Sequence, residues 1–221
     1  MSNTEPALVL LYEDAFLCVA LKPAGMPVQQ DLSGDRSLLE VLQAHYDDST
    51  IGLVHRLDRP VSGVVVFARD AENLAALNGI FRDRQVDKVY WAVVEGAFKE
   101  QCTLQHRLMH DQKMKRAKET SAKDPDGADA LLDVKPLKVG DRYTLLEVRP
   151  AGGAFHQIRA QLALAGHPIK GDVKYGARRG EKDRSIMLHA RSLAFQHPMT
   201  DAPILVEAPA PDGTLWKALL G

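Results

Sequence analysis

The sequence predicts an α+β fold in which a mixed, mainly antiparallel sheet is flanked by helices. Strand-like runs come in adjacent pairs, such as 8–12 with 16–21 and 131–139 with 143–148, and do not alternate regularly with helices. Helical spacing occurs in three segments between such runs. The 221 residues contain no internal repeat and no convincing linker, so we expect a single domain over residues 1–221.

The N-terminal third reads as a hairpin, a loop and a helix. Two acidic residues split the first two apolar runs, and the KPAGMP sequence of residues 22–27 must form a loop after the second run. Ser37 and Glu40 form a capping box, which predicts a helix that ends near residue 45.

The next segments alternate between strands and one helix. Residues 53–56 and 64–68 are rich in strand formers and flank a turn around Asp58. Asp70 is a suitable N-cap for the amphipathic helix that follows, and residues 89–95 read as the next strand.

The second half begins with a segment of different character. Residues 106–130 are basic and then acidic with small side chains, which predicts a protruding arm or mobile loop. Gly140 and Asp141 join the following two strands as a hairpin. A helix over 156–165 ends at a glycine, and residues 186–195 and 204–207 complete the sheet.

Bulk composition excludes several classes of protein. The apolar fraction of 45% is typical of a globular chain, and two cysteines cannot form a disulfide framework. The N-terminus lacks the features of a secretory signal, and no apolar stretch is long enough to cross a bilayer. We therefore expect a cytoplasmic protein without a membrane partner.

Charge is distributed unevenly, although the net charge is only −1. A locally basic face on a neutral protein can bind a polyanion, whereas the plainer interpretation is a solvated surface of mixed charge. The basic residues that we expect to follow a nucleic-acid backbone are Lys113, Lys115, Arg116 and Lys118.

The most informative residue is Asp58, which lies between Arg56 and Arg59 at a turn that contains proline and glycine. Flanking arginines favour the charged form of a carboxylate and also offer a site for phosphate. A structural ion pair is the alternative interpretation of the same residues.

Two further polar features accompany this turn. His156 and Arg159 are three residues apart on the predicted helix and share a face, where His156 can help to gather an anion. Tyr90 lies inside a predicted strand, where a core aromatic with a satisfied hydroxyl is the simpler interpretation.

Other kinds of site find little support. His106 and His110 have the spacing of a zinc pair on a helix, but they lack a neighbouring glutamate and lie among lysines, so we expect no metal. The sequence has no Gly-x-Ser-x-Gly nucleophile motif and no phosphate-binding or dinucleotide-binding glycine motif. Nothing implies a cofactor.

Several short motifs in a fixed order resemble the RluA-type pseudouridine synthases. The resemblance covers roughly residues 8–209. Its motifs are Lys22-Pro23-Ala24-Gly25, His55-Arg56-Leu57-Asp58 with Ser62-Gly63, Lys88-x-Tyr90-x-Ala92, His156-Gln157-Ile158-Arg159, Gly171-Asp172 with Tyr175-Gly176, and Leu188-His189-Ala190.

This resemblance implies an enzyme that isomerises uridine in structured RNA to pseudouridine, without metal or cofactor, on a fold with a central RNA-binding cleft. It implies that Asp58 is the catalytic aspartate, that Tyr90 stacks on or near the target base, and that Arg159 pairs with Asp58. The RNA is a tRNA or an rRNA, and we expect the enzyme to be a monomer.

The chain departs from the family pattern at two places. Val61 stands where the family commonly has threonine, and Ala154-Phe155 stands where it commonly has Arg-Thr. We expect the chain to start directly at the catalytic domain, without the S4 module of many relatives, and we expect target choice to depend on the domain itself or its arm.

The residues leave the first chemical step open. The Asp58 carboxylate could add to the base or sugar as a nucleophile, or remove a proton from the sugar as a general base. If residues 56–58 are extended, Arg56 and Asp58 project to the same side, and Arg56 is expected to fill the space that a flipped base leaves. The rival hypothesis is an RNA-binding or RNA-chaperone protein on this fold without catalysis.

Overall fold

The computed structural model describes residues 7–221, which form α-helices and β-strands in an α+β arrangement. In chain order the elements are β1 (Leu10–Glu13), β2 (Leu17–Lys22), α1 (Leu38–Tyr46), β3 (Gly52–Leu53), β4 (Ser62–Ala68), α2 (Ala71–Arg82), β5 (Asp87–Glu95), β6 (Cys102–Asp111), β7 (Arg116–Glu119), β8 (Ala128–Val139), β9 (Tyr143–Pro150), α3 (Gln157–Leu164), a 3-10 turn (Val173–Tyr175), β10 (Leu188–Gln196), β11 (Pro203–Glu207) and α4 (Thr214–Leu220).

Two compact units make up the chain. The first unit runs to Asp87 and includes Ala190–Pro209, and the second contains Lys88–His189 and Ala210–Gly221. The α+β class and the mainly antiparallel strand pairing that the sequence predicts are confirmed. The expectation of one domain over residues 1–221 stays a prediction. In the described part of the chain, no helix is both long and apolar enough to cross a membrane.

The first unit is built around β4. The strand order is β1-β2-β4-β10, with β3 paired to β4 and β11 paired to β10. β4 contains a Val-Val-Val-Phe run that is fully buried, and the strand lies between β2 and β10 in the sheet. Leu77 of α2 joins this core and is itself fully buried, which contributes about 1.5–3 kcal/mol to stability.

The second unit contains a five-stranded antiparallel path in the order β5-β9-β8-β6-β7. Helix α3 packs on β6, β7 and β8 through small residues, since Ala117, Ala130 and Ala160 cluster with Leu108. Small side chains at this contact allow the helix to lie close to the strands. This close packing determines where the polar side chains of α3 project.

Of the two expectations for residues 106–130, a protruding arm or a mobile loop, the mobile loop is wrong for most of that segment. Strands β6, β7 and the start of β8 occupy it, and β8 alternates exposed with buried residues along its first half. In this segment Arg116, Lys118 and Glu119 of the edge strand β7 and Asp129 of β8 are exposed. The charged residues therefore made the strand-like alternation of exposed and buried positions hard to recognise in the sequence.

The capping signals are confirmed. Ser37 Oγ accepts a hydrogen bond from the Glu40 N–H, and the Glu40 carboxylate accepts one from the Ser37 N–H at 2.8 Å. Asp70 caps α2 by accepting the Asn73 N–H at 2.8 Å. Both caps are local, since donor and acceptor are three residues apart, which explains why sequence pattern alone predicted them.

The predicted strand 53–56 is shorter than expected, because β3 ends at Leu53. His55 Nε2 accepts the backbone N–H of Val66 at 3.1 Å. The imidazole thus takes the place of a backbone partner, and the chain leaves the sheet before it reaches Asp58. His55 also stacks on Phe81 of α2, with ring centroids 4.7 Å apart.

Candidate active site

Asp58 lies at the start of a tight turn in the first unit. The Val61 N–H donates to the Asp58 carbonyl at 2.9 Å and closes the turn. Leu57 and Val61 are only 7% and 2% exposed, so apolar burial holds the turn on both sides of the acid. Arg56 is exposed and Asp58 is half-buried. The expectation that Arg56 and Asp58 project to the same side stays a prediction.

Gly63 allows the strand after this turn to pass close to β10. Its φ is +125°, and a Cβ at this position would lie 2.2 Å from the carbonyl oxygen of Ala190. No other residue could occupy this position without moving the backbone. The Ser62-Gly63 part of the motif therefore has a steric role in placing the Asp58 turn.

A fully buried lysine lies beside the turn. Lys22 Nζ donates hydrogen bonds to the carbonyls of Pro23 and Met26, both at 2.8 Å, and to that of Arg59 at 3.1 Å. Burial lowers the pKa of Lys22 to about 7, while the negative charge of Asp58 acts in the opposite direction. Lys22 thus connects the loop after β2 to the Asp58 turn and lies within electrostatic range of the acid.

Arg59 fastens the same loop from the other side. Its Nε donates to the Gly25 carbonyl at 2.8 Å, and the Gly25 N–H donates to the Arg59 carbonyl at 2.8 Å. Its guanidinium also bonds to Asp35 and lies 3.5 Å from an Asp31 oxygen. The bond from Arg59 lowers the pKa of Asp35. In this structure Arg59 is thus a loop clamp, and its contact with RNA stays a prediction.

Tyr90 lies in β5 of the second unit, opposite Val148 of β9, and is half-buried. Two residues earlier, Lys88 Nζ donates to the Gly152 carbonyl at 2.6 Å. This bond ties the strand that carries Tyr90 to the loop that precedes α3. The strand position predicted for Tyr90 is confirmed, and its role at the target base stays a prediction.

Arg159 of α3 is held by a carboxylate that the sequence analysis did not assign. Its Nε and Nη2 donate to the two oxygens of Asp172 at 2.7 and 2.9 Å, and the two side chains are 6% and 2% exposed. Such a buried two-point pair fixes the plane of the guanidinium. The pairing of Arg159 with Asp58 that the resemblance implies stays a prediction.

Two buried glutamines anchor α3, whose apolar character is weak. Gln157 Nε2 donates to the Leu131 carbonyl at 2.8 Å, and Gln161 Nε2 donates to the Leu104 and Ala130 carbonyls, both at 3.0 Å. These bonds attach the helix to β6 and β8 by hydrogen bonding as well as by packing. They place Arg159 with little freedom to shift.

His156 directly precedes α3 in the left-handed conformation, with φ 52° and ψ 26°. Its Nε2 lies 3.0 Å from Nη1 of Arg159, which can only donate, so Nε2 is the acceptor. Nδ1 then carries the proton and donates to the Tyr175 hydroxyl at 2.8 Å. The same hydroxyl accepts the Ala117 N–H at 2.7 Å. His156 therefore joins Arg159 to the β7 edge.

The predicted basic residues share the hairpin between β6 and β7. We call this group the basic turn, and all of its members are exposed. One member, Lys118, forms an ion pair with Asp111 at 3.3 Å. The members of the basic turn are Lys113, Lys115, Arg116 and Lys118.

Asp172 and Lys22 are the main residues that sequence reasoning missed. Both belong to motifs that the sequence analysis quoted, but neither received a role. A buried arginine requires a carboxylate partner, which is a usable signal for Asp172. His106 and His110 lie on strand β6 and not on a helix, and the described residues contain no group of three possible metal ligands.

The fold resembles solved pseudouridylate synthase structures. Human RNA pseudouridylate synthase domain containing 1 matches with a TM-score of 0.78 at 24% identity, covering 93% of this chain and 86% of that chain. Human RNA pseudouridylate synthase domain containing 4 matches with a TM-score of 0.75, also at 24% identity, covering 91% and 88%. At this identity the likeness shows a shared fold, which is the pseudouridine synthase fold.

Sequence comparisons identify the family. The model of the RNA pseudouridylate synthase family matches residues 17–164. The tRNA pseudouridine synthase C of Vibrio cholerae is 30% identical over 96% of this chain and 94% of that protein. The ribosomal large subunit pseudouridine synthase C of Vibrio parahaemolyticus is 31% identical over 96% of this chain and 69% of that protein.

The chain therefore belongs to the RNA pseudouridylate synthase family, and the resemblance to the RluA-type enzymes is confirmed. It is an isomerase that acts on RNA, as the sequence predicted.

Proposed function

We propose that this protein converts specific uridines of tRNA or rRNA into pseudouridine, with Asp58 as the catalytic group. The observation that carries the proposal is the Asp58 turn itself. A half-buried acid stands on a turn fixed by two buried apolar neighbours and a fully buried lysine. Anchoring on both sides of one carboxylate is what a positioned catalytic group requires. The named substrates of the relatives support tRNA and rRNA as the RNA classes.

The reaction breaks the bond between C1′ of the ribose and N1 of uracil and forms a bond between C1′ and C5. The proton at C5 is lost, and N1 gains one, so atoms and charge balance without an external reactant. The Asp58 carboxylate either adds as a nucleophile or removes a proton from the sugar. Both routes need the acid to reach a nucleotide outside its stack, which costs a few kcal/mol.

The family resemblance supports roles for the other site residues. Arg56, which is exposed beside Asp58, fills the space that the flipped base leaves. Tyr90 stacks on or near the target base and assists removal of the C5 proton. Arg159 positions the catalytic aspartate, and Asp172 holds the Arg159 guanidinium in one plane.

RNA contacts outside the reacting nucleotide come from the basic turn, Arg59 and His156. We propose that the basic turn follows the phosphate backbone, because its cations are exposed on a hairpin at the edge of the sheet. The proposal also includes a monomeric enzyme in the cytoplasm that requires neither metal nor cofactor.

Mapping pseudouridine in total RNA from cells with and without this protein tests the proposal. We expect one site or a few sites in tRNA or rRNA to lose pseudouridine when the protein is absent, and to regain it on complementation. An unchanged map would contradict the proposal and favour the RNA-binding alternative. The position of the lost sites identifies the RNA class directly.

A further inference from the structure

Three aromatic rings stack in the second unit, and we call them the ring column. The Phe155 ring lies 3.8 Å from the His156 ring at 17° and 4.0 Å from the His110 ring at 38°. The His156 ring is nearly parallel to Phe155, and the His110 ring is tilted against it. Two rings this close to one centroid would overlap each other on a single face, so the histidines lie on opposite faces of Phe155. At the inner end, Tyr175 meets His156 edge-on, with centroids 5.6 Å apart.

The ring column is rigid at its inner end and open at its outer end. His156 is held by hydrogen bonds to both Arg159 and Tyr175. His110 is exposed, and Phe155 is 41% exposed. A fixed stack of rings that ends in solvent is preorganised to accept one more flat ring at low entropic cost.

Positive charge lies next to the open end. In the β6–β7 hairpin, His110 is paired with Ala117 and the following residue, Asp111, is paired with Arg116. The basic turn therefore begins within a few residues of the outermost ring. Aromatic faces beside a basic track are the combination by which proteins bind unpaired nucleotides, since bases stack on the rings and phosphates meet the cations.

We propose that the ring column and the basic turn form a binding site for an unpaired nucleotide of the RNA substrate. A nucleobase stacks on the exposed ring of His110, with Phe155 as the spacer behind it, and the adjoining phosphate faces the basic turn. The site rests on the proposed function in that RNA is its ligand. It lies at the Ala154-Phe155 position where the chain departs from the family pattern, so stacking here takes the place of a charged contact.

Binding of a short, fluorescein-labelled single-stranded RNA of mixed sequence to the full chain tests the site. We expect Phe155→Leu and His110→Ala each to weaken binding by roughly tenfold, because each removes a stacking face. His110→Tyr should bind as well as wild type, since it keeps an aromatic ring at this position. Leu137→Ala is the matched control, because Leu137 is also an exposed apolar residue of this unit at 42%, and it should bind normally.

Salt dependence separates stacking from charge. The ring variants should keep the wild-type slope of binding against salt concentration, whereas Lys113→Ala with Lys115→Ala should flatten it. The same RNA annealed into a duplex should bind wild type and the ring variants alike, because its bases are not available to stack. Thermal unfolding of each variant confirms that it is folded.

The outcomes distinguish this site from the proposed function. If the ring variants weaken binding while no RNA loses pseudouridine in cells without the protein, the site stands and the proposed function fails. If pseudouridine is lost in those cells but the ring variants bind like Leu137→Ala, the function stands and the site is refuted. Loss of binding to duplex and single strand alike would also refute it, since stacking on unpaired bases could not explain that pattern.

Discussion

The turn that carries Asp58 and the side chains around Arg159, which we call the Arg159 cluster, each hold one charged group in place. They do so through different interactions. The turn in the first unit is held mainly by backbone carbonyls, which receive hydrogen bonds from Lys22 and Arg59. The cluster in the second unit is held by side chains, through a buried pair with Asp172 and a bond to His156. The first arrangement tolerates change in neighbouring side chains, whereas the second depends on each partner.

The largest effect is expected from Asp172→Asn. This change leaves the buried Arg159 guanidinium without its carboxylate, which costs about 3–5 kcal/mol in the free energy of unfolding. Urea denaturation measures this change in the free energy of unfolding. The control is Asp129→Asn, which breaks the exposed pair with Arg107 and should cost less than about 1 kcal/mol. Equal stability of the two variants would show that the cluster does not depend on this pair.

Lys22→Met tests the first unit and should cost about 2–3 kcal/mol, because three backbone carbonyls lose their side-chain hydrogen-bond donor. The pH dependence of the unfolding free energy is the sharper measurement. Since folding lowers the pKa of Lys22 from 10.5 to about 7, the unfolded state binds more protons between these values. The stabilisation linked to this titration is complete above the unfolded pKa and is lost as pH falls toward 7.

The difference in unfolding free energy between wild type and Lys22→Met should therefore grow as pH rises from about 7 toward 10.5. Lys182→Met, at an exposed lysine of the second unit, is the control for loss of a lysine side chain. A difference that shrinks with rising pH would mean that the buried ammonium is favoured by folding, contrary to the account of the turn.

The smallest effect on stability is expected from Arg59→Ala, because Arg59 is a partly exposed clamp with a side chain 40% exposed. Its stability should stay close to that of Arg82→Ala, which removes an exposed pair with Asp83. Its turnover should fall by roughly tenfold or more, since a small displacement of the Asp58 turn is costly for catalysis. Unchanged turnover would show that Arg59 only holds the loop after β2 and does not affect catalysis.

Helix caps and turns that depend on neighbouring residues were predictable from the sequence. The caps at Ser37 and Asp70 and the turn at Asp58 depend on residues within a few positions of one another. The strands over 106–130 were missed because their exposed faces are charged, which resembles a loop in a single sequence. The end of β3 was missed because a side chain, His55, replaces a backbone partner there.

The candidate site follows the same division. Motif order located Asp58, Tyr90 and Arg159, but it did not reveal what holds them. Asp172 lies 13 residues from Arg159 along the chain, and its role depends on how α3 packs. The proposed stacking role of Phe155 depends on its contacts with the rings of His110 and His156, and His110 lies on strand β6. Such partners are determined by tertiary packing, which local patterns do not contain.

The central claim is that the Asp58 carboxylate carries out the isomerisation. The most direct measurement is pseudouridine formation by purified wild type and Asp58→Asn on the RNA that mapping identifies, together with RNA affinity and unfolding free energy for both. Asp83→Asn, at an exposed acid of the same unit, is the matched control. We expect Asp58→Asn to fold and bind RNA like wild type and to form no pseudouridine. Turnover by Asp58→Asn at the wild-type rate would contradict the account.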